Sequence, residues 1–259
     1  MNGFPVLFGV FAVFLALWKS SFSPGKSLRL YRTETWLCYG VTAACACGVC
    51  WVLLVGSASD VREDRGELSF YLVSSLAAIA ASQALFAFWG VSLRDDVIER
   101  KNRGALFAFA GLTIGASCCI AGANVGNGPG AEVVLLCAVV STGTLLLLWS
   151  LLAGVADAAE AITIERDSGA GMRAGGFLAG SGAVCGAAVA GDWVSLAATL
   201  RDFARFIWPL LAVAILVTLC ERRLNRRALA RRLSTKISAS LAAGLAMLGF
   251  AYAVWVAKQ

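Results

Sequence analysis

The stretch Cys-Ala-Cys-Gly-Val-Cys, Cys45 to Cys50, contains a Cys-x-x-Cys at Cys47 and Cys50, a spacing used by thiol-disulfide centres and by metal sites. Either chemistry makes further demands. A reactive thiolate needs a cationic neighbour or a helix N-terminus, and structural zinc needs a closed ligand set, often completed by histidine. The chain has no histidine, and no charged residue stands near these cysteines. The nine cysteines are therefore read as small apolar packing residues, and no metal or cofactor is expected.

Other candidate chemistry thins out in the same way. Gly126 to Gly130 (Gly-Asn-Gly-Pro-Gly) resembles a phosphate cradle but lacks the following Lys-Ser/Thr, so it is read as a turn. Without histidine the commonest general base is missing, and no carboxylate pair or activated serine or lysine stands out; no catalytic residue is assigned. Two basic clusters remain. Arg201 and Arg205 lie four apart in a stretch whose Trp193, Leu196, Leu200, Phe203 and Ile207 share a helical face. They fit snorkelling anchors or an external anion contact. Arg222, Arg223, Arg226 and Arg227 open the densest charge run, Glu221 to Lys236, which fits contact with anionic lipid or docking of an acidic protein partner.

What must position these residues is a membrane bundle. Apolar residues make up 59% of the chain, charged residues only 15%, and the mean hydropathy is +0.77. Apolar runs of roughly the ~20 residues needed to cross a bilayer recur along the whole length. They predict eight helices, near Phe4–Trp18, Thr35–Gly56, Leu68–Leu93, Ala105–Val125, Val133–Ala156, Met172–Ala190, Ile207–Cys220 and Ile237–Ala257. The expected fold is an all-α polytopic bundle forming a single integral membrane domain over residues 1–259. The first run lacks a preceding basic residue and a following small-x-small pattern, so it is kept as a span and not a signal peptide.

Charge orients the bundle. The loops after the odd-numbered helices hold seventeen Lys and Arg, Arg166 and Arg173 among them, whereas the even loops hold Arg62, Arg65, Arg201 and Arg205. Cytoplasmic loops retain positive charge, so both termini are expected outside, and the net charge of +6 calls for no nucleic-acid partner. All eight tryptophans, Trp149 included, fall near proposed helix ends and read as an interfacial belt. Polar residues within the spans, such as Ser82, Gln83, Ser117, Asn124, Thr142 and Thr144, are expected to bond between helices.

A repeat runs through the second half. At an offset of sixty-five, Gly104, Ala105, Gly111, Gly115, Ala123 and Gly126 match Gly169, Ala170, Gly176, Gly180, Ala188 and Gly191, and Lys101–Asn102 face Arg166–Asp167. Asp95 and Glu160 precede the copies as matching acids. A duplicated two-span unit keeps its orientation, which gives parallel repeats over residues 100–156 and 165–221. Within them Gly111/Gly115 and Gly176/Gly180 are small-xxx-small pairs suited to close helix packing. Helices two and three are candidates for a further degenerate copy.

The motifs Lys101–Gly111 and Arg166–Gly176, with the turn Gly122–Gly130, resemble the YjfL-like bacterial inner-membrane proteins, catalogued as domain of unknown function 350, whose two-helix unit usually occurs twice. The resemblance implies a multi-pass protein of the bacterial inner (plasma) membrane, associated with polyamine-biosynthesis and ATP-grasp ligase systems. The function expected is a non-enzymatic membrane subunit or scaffold that contacts lipid and recruits a cytoplasmic protein partner, with self-association into a homo-oligomer a candidate. A small-solute or ion channel or transporter is the alternative.

Overall fold

A computed structural model describes residues 33–128, 130–226 and 233–258. Its helices are α1 (Thr33–Gly56), α2 (Ser59–Glu63), α3 (Arg65–Phe88), a π-helix π1 (Leu93–Glu99), α4 (Arg103–Ala123), α5 (Ala131–Val155), α6 (Ala158–Thr163), α7 (Ser168–Val189), α8 (Leu196–Asn225) and α9 (Thr235–Val256). Among the described residues there is no strand, only one isolated bridge between Ser57 and Gly126. Six helices, α1, α3, α4, α5, α8 and α9, are long and apolar enough to cross a membrane. The expected span Phe4–Trp18 lies outside the described residues.

Four helices form a row in the order α1, α4, α7, α9. The α4–α7 contact is the most extensive in the molecule, and α7–α9 follows it. Contacting residue numbers rise together along each pair: Gly111 meets Gly175 and Gly122 meets Gly186, while Gly176 meets Ala242 and Gly180 meets Leu245. Neighbours in the row therefore run parallel. The longer apolar helices α3, α5 and α8 flank the row and turn bulky side chains outward, including Leu147, Trp208 and Leu216.

Composition explains this placement. In α7, Gly and Ala dominate and 18 of the 22 residues are buried. Small side chains let backbones approach, so the helix with the least apolar bulk occupies the most enclosed position. That is also why α7 is not among the six helices apolar enough to span on their own.

Several expectations need correction. The run Leu68–Leu93 is not one helix: α3 stops at Phe88, and Gly90, at φ +102°, turns the chain into π1. The short seventh span, Ile207–Cys220, is part of the 30-residue α8, which has Pro209 inside it and at ~1.5 Å per residue extends ~45 Å, taking in Leu196 to Phe206 as well. Trp149 is no belt residue, being fully buried with its ring 4.7 Å from that of Phe86. Arg173 is not a loop charge but the sixth residue of α7, only 3% exposed. The span polar groups mostly turn inward on their own helices: Ser82, Ser117 and Thr144 each donate to the carbonyl four residues back. The enclosed hydroxyl of half-buried Thr142 has no partner among the described residues, and Gln83 and Asn124 bridge helices.

Candidate functional site

At one end of the bundle, two segments sixty-five residues apart, π1 and α6 with the turns that follow them, share a set of backbone hydrogen bonds. The amides of Asp96, Arg100 and Asn102 donate to the carbonyls of Ser92, Asp95 and Asp96; those of Ala161, Glu165 and Asp167 donate to Asp157, Glu160 and Ala161. Lys101 and Arg166 both sit in the left-handed region, at φ 52° and 56°. Each places a capping residue next: Asn102 Oδ1 accepts from the amides of Gly104 and Ala105, and Asp167 Oδ1 from those of Gly169 and Ala170. Such caps satisfy the first free donors of a helix. Asn102 also donates 2.6 Å to the carbonyl of Ile162, tying the two segments together.

The same end holds a buried ionic cluster. Arg173 Nε and Nη2 donate to Glu221 Oε1 and Oε2 at 2.6 and 2.8 Å, and Nη1 donates to Ser238 Oγ at 2.7 Å. Two-point pairing of this kind fixes guanidinium and carboxylate in one plane. It joins α7, α8 and α9 where they converge. Four residues on from Glu221, Asn225 Nδ2 donates to the carbonyl of Ala156. Sequence reasoning missed this cluster because it counted Arg173 and Glu221 with the flanking charge; the available signal was a lone arginine inside a glycine-rich helix.

Around it the basic run is divided by burial. Arg222 is half-buried, Arg223 and Arg226 are exposed, and Arg227 lies outside the described residues. Of the nearby acids, Asp96 is buried and accepts from the Ser92 amide and from Arg100, whereas Asp95, Asp157, Glu160 and Glu165 are exposed. Arg94 lies 3.6 Å from Glu99.

At the opposite end the two glycine turns stack. The amide of Gly191 donates to Val125, and that of Trp193 to Asn127; the Asn127 amide and Nδ2 both reach Asp192 Oδ1, at 2.7 and 3.0 Å. The Gly126 amide in turn donates to Gly56 at the end of α1. Gly126 has φ +107° and abuts Gly191, so both backbone conformation and space require glycine there.

Between the ends run the glycine contacts. A Cβ on Gly111 would strike the carbonyl of Gly175, and one on Gly115 that of Leu178; on Gly176 it would strike Ala242, and on Gly180 it would stand 2.7 Å from Leu245 O. Gly40, Gly48 and Gly143 have open space instead. Arg201 and Arg205 lie exposed on α8; Arg205 stands 5.7 Å over the Phe206 ring, and neither arginine lines a cavity found at this end. Cys47 is exposed on α1 and Cys50 half-buried. Among the described residues no group of three or more His, Cys, Asp or Glu comes together in a way that could hold a metal.

No family model, curated protein or solved structure matches the chain.

Proposed function

We propose that the protein is a non-enzymatic integral membrane subunit built from tandem two-helix units, at residues 100–156 and 165–221, that presents an arginine-bearing face to an acidic cytoplasmic partner. The observation that carries this reading is the close glycine contact along α4, α7 and α9, which closes the centre of the bundle with backbone against backbone. A dry centre suits a scaffold better than a conduction path. The units are supported by matched capping turns sixty-five residues apart and by the equivalent contacts of Gly111 on α7 and Gly176 on α9. The Ser57–Gly126 bridge and the α1–α4 contact support a third, degenerate unit formed by α1 and α3.

In this reading α7 crosses the membrane among the six more apolar helices, the YjfL-like resemblance holds, and the charge asymmetry sets the end bearing Arg173 in the cytoplasm of a bacterial inner membrane, with both termini outside. Buried Asp96 and Glu221 are engaged internally, whereas Arg223 and Arg226 are exposed and have no ion pair among the described residues. An acidic surface approaching there would gain steering and orientation, weakened by salt over ~8 to 10 Å.

The test compares protein purified from native membranes with its Arg223→Gln and Arg226→Gln variants, at low and high salt, by mass spectrometry of what co-purifies. A cytoplasmic protein retained at low salt by the wild type and lost from both variants supports the proposal. Ion or small-solute flux through the purified protein alone in liposomes, with partner retention unchanged in the variants, would replace it with the transport reading.

A further inference from the structure

We propose that a cavity at the end of the bundle opposite Arg173 binds an organic ammonium ion carrying an apolar body. The cavity, about 860 Å³, opens between the end of α1, the short α2, the start of α3 and the turn joining α4 to α5. That volume is in the range of small-molecule sites, ~300–1,000 Å³. The inference does not depend on the scaffold reading, since it concerns the opposite end of the molecule.

The lining decides the ligand's chemistry. Asp60 and Glu67 bring two carboxylates, neither of them in an ion pair among the described residues, and no lysine or arginine lines the cavity. Leu53, Val61, Phe70 and Val134 supply apolar wall. Paired carboxylates alone would mark only a solvated acidic rim. Tyr71 adds an independent observation. It is 8% exposed and lines the cavity, its hydroxyl lies in the field of both Glu67 and Asp60, and that hydroxyl makes no hydrogen bond with any described residue. The Tyr71 side chain is enclosed but its hydroxyl opens into the cavity, where a donor can reach it.

Asn124 repeats the pattern. It is 6% exposed, its Nδ2 is used by Ser75 Oγ and the carbonyl of Ile120, and its Oδ1 accepts from no described residue. The cavity thus offers two carboxylates, an amide oxygen and a phenol oxygen, beside the edge-to-face Phe70–Tyr71 ring pair at 5.5 Å. An ammonium group is the complement, because it has donors and no acceptor, and aromatic rings also attract it. An anionic phospholipid headgroup fits poorly: its phosphate would face two carboxylates without a balancing cation. A divalent metal fits poorly as well, since calcium takes about six to eight oxygen ligands and most of this lining is apolar.

The experiment uses the full chain in nanodiscs and three probes of matched size, 4-phenylbutylammonium, 4-phenylbutanol and 4-phenylbutyrate, titrated calorimetrically. The ammonium should bind saturably at one site, about tenfold or more tighter than the alcohol, and the carboxylate should not bind. Asp60→Asn with Glu67→Gln should bring the ammonium down to the alcohol's affinity, and Tyr71→Phe should weaken it by about two- to tenfold. Equal binding of ammonium and alcohol to the wild type overturns the proposal, and that comparison needs no variant to fold. So does undiminished ammonium binding by a double variant that melts like the wild type, or calcium binding at Asp60 and Glu67 with no ammonium binding.

Discussion

Arg173 on α7 and Glu221 on α8 form a two-point ion pair, 3% and 5% exposed, whose third guanidinium nitrogen is taken by Ser238 on α9. One side chain thereby registers three helices. Removing one partner leaves the other charge buried and unmatched, which costs ~3–5 kcal/mol, more than the pair itself adds over apolar packing. Arg173→Met should therefore destabilise the protein by about that amount, and Arg173→Met with Glu221→Leu should recover most of the loss. Reversible unfolding in mixed micelles would measure both, and a double variant as unstable as the single would contradict this account.

The glycine contacts divide substitutions into two groups. Gly111→Leu and Gly176→Leu place side chains where backbone already stands, so each should cost at least the ~1–3 kcal/mol of ordinary overpacking. Gly40→Leu and Gly143→Leu enter open space and should change stability little. The same unfolding assay decides, and equal sensitivity of the two groups would show that the contacts do not carry the fold.

Capping by Asn102 can be tested separately from charge. Asn102→Ala should cost ~1–2 kcal/mol, because it loses both the cap and the bond to Ile162. Lys101→Gly and Arg166→Gly should be neutral or stabilising by up to ~1 kcal/mol, since both residues occupy left-handed backbone. Comparable losses from all three changes would instead point to the charges at this end.

Cysteine chemistry should be dispensable. Cys47→Ala and Cys50→Ala, alone or together, should leave insertion, melting and any measured activity unchanged, since the pair sits among apolar residues on α1. Loss of activity in a normally folded variant would restore the redox reading.

The orientation proposed from the charge asymmetry is tested by reporters. Fusions after Gln259 should behave as exported and insertions at Ala230 as cytoplasmic.

How far these features were legible depends on the distance over which the physics acts. Helix positions for α1, α4, α5, α7 and α9 follow from apolar length, and the close approach at Gly111 and Gly176 follows from small residues four apart. Both signals are local. The break after Phe88 was hidden because Trp89, Val91 and Leu93 keep the run apolar while Gly90 alone supplies the turn. The start of α8 at Leu196 does not follow from apolar length, because Asp202, Arg201 and Arg205 interrupt the apolar run yet occupy regular helix. Arg173 was assigned to a loop because its partners stand 48 and 65 residues away, at Glu221 and Ser238. The Tyr71 cavity needs α1, α2, α3 and the α4–α5 turn together, and no one of them carries its signal.

The central position of α7 has a consequence for the order of synthesis. This helix is not among the six long and apolar enough to cross a membrane, and, if it crosses as proposed, an unpaired Arg173 near its start adds at most ~2.5–3.5 kcal/mol to insertion. When α7 leaves the ribosome, α4 is already made, but Glu221 and Ser238 are not. A nascent chain halted before α8 should hold α7 against α4 alone, with Arg173 unpaired, open to extraction and to degradation. Completion of α8 and α9 then closes the cluster and commits the segment. The last helices made thus act as the quality check on the one at the centre.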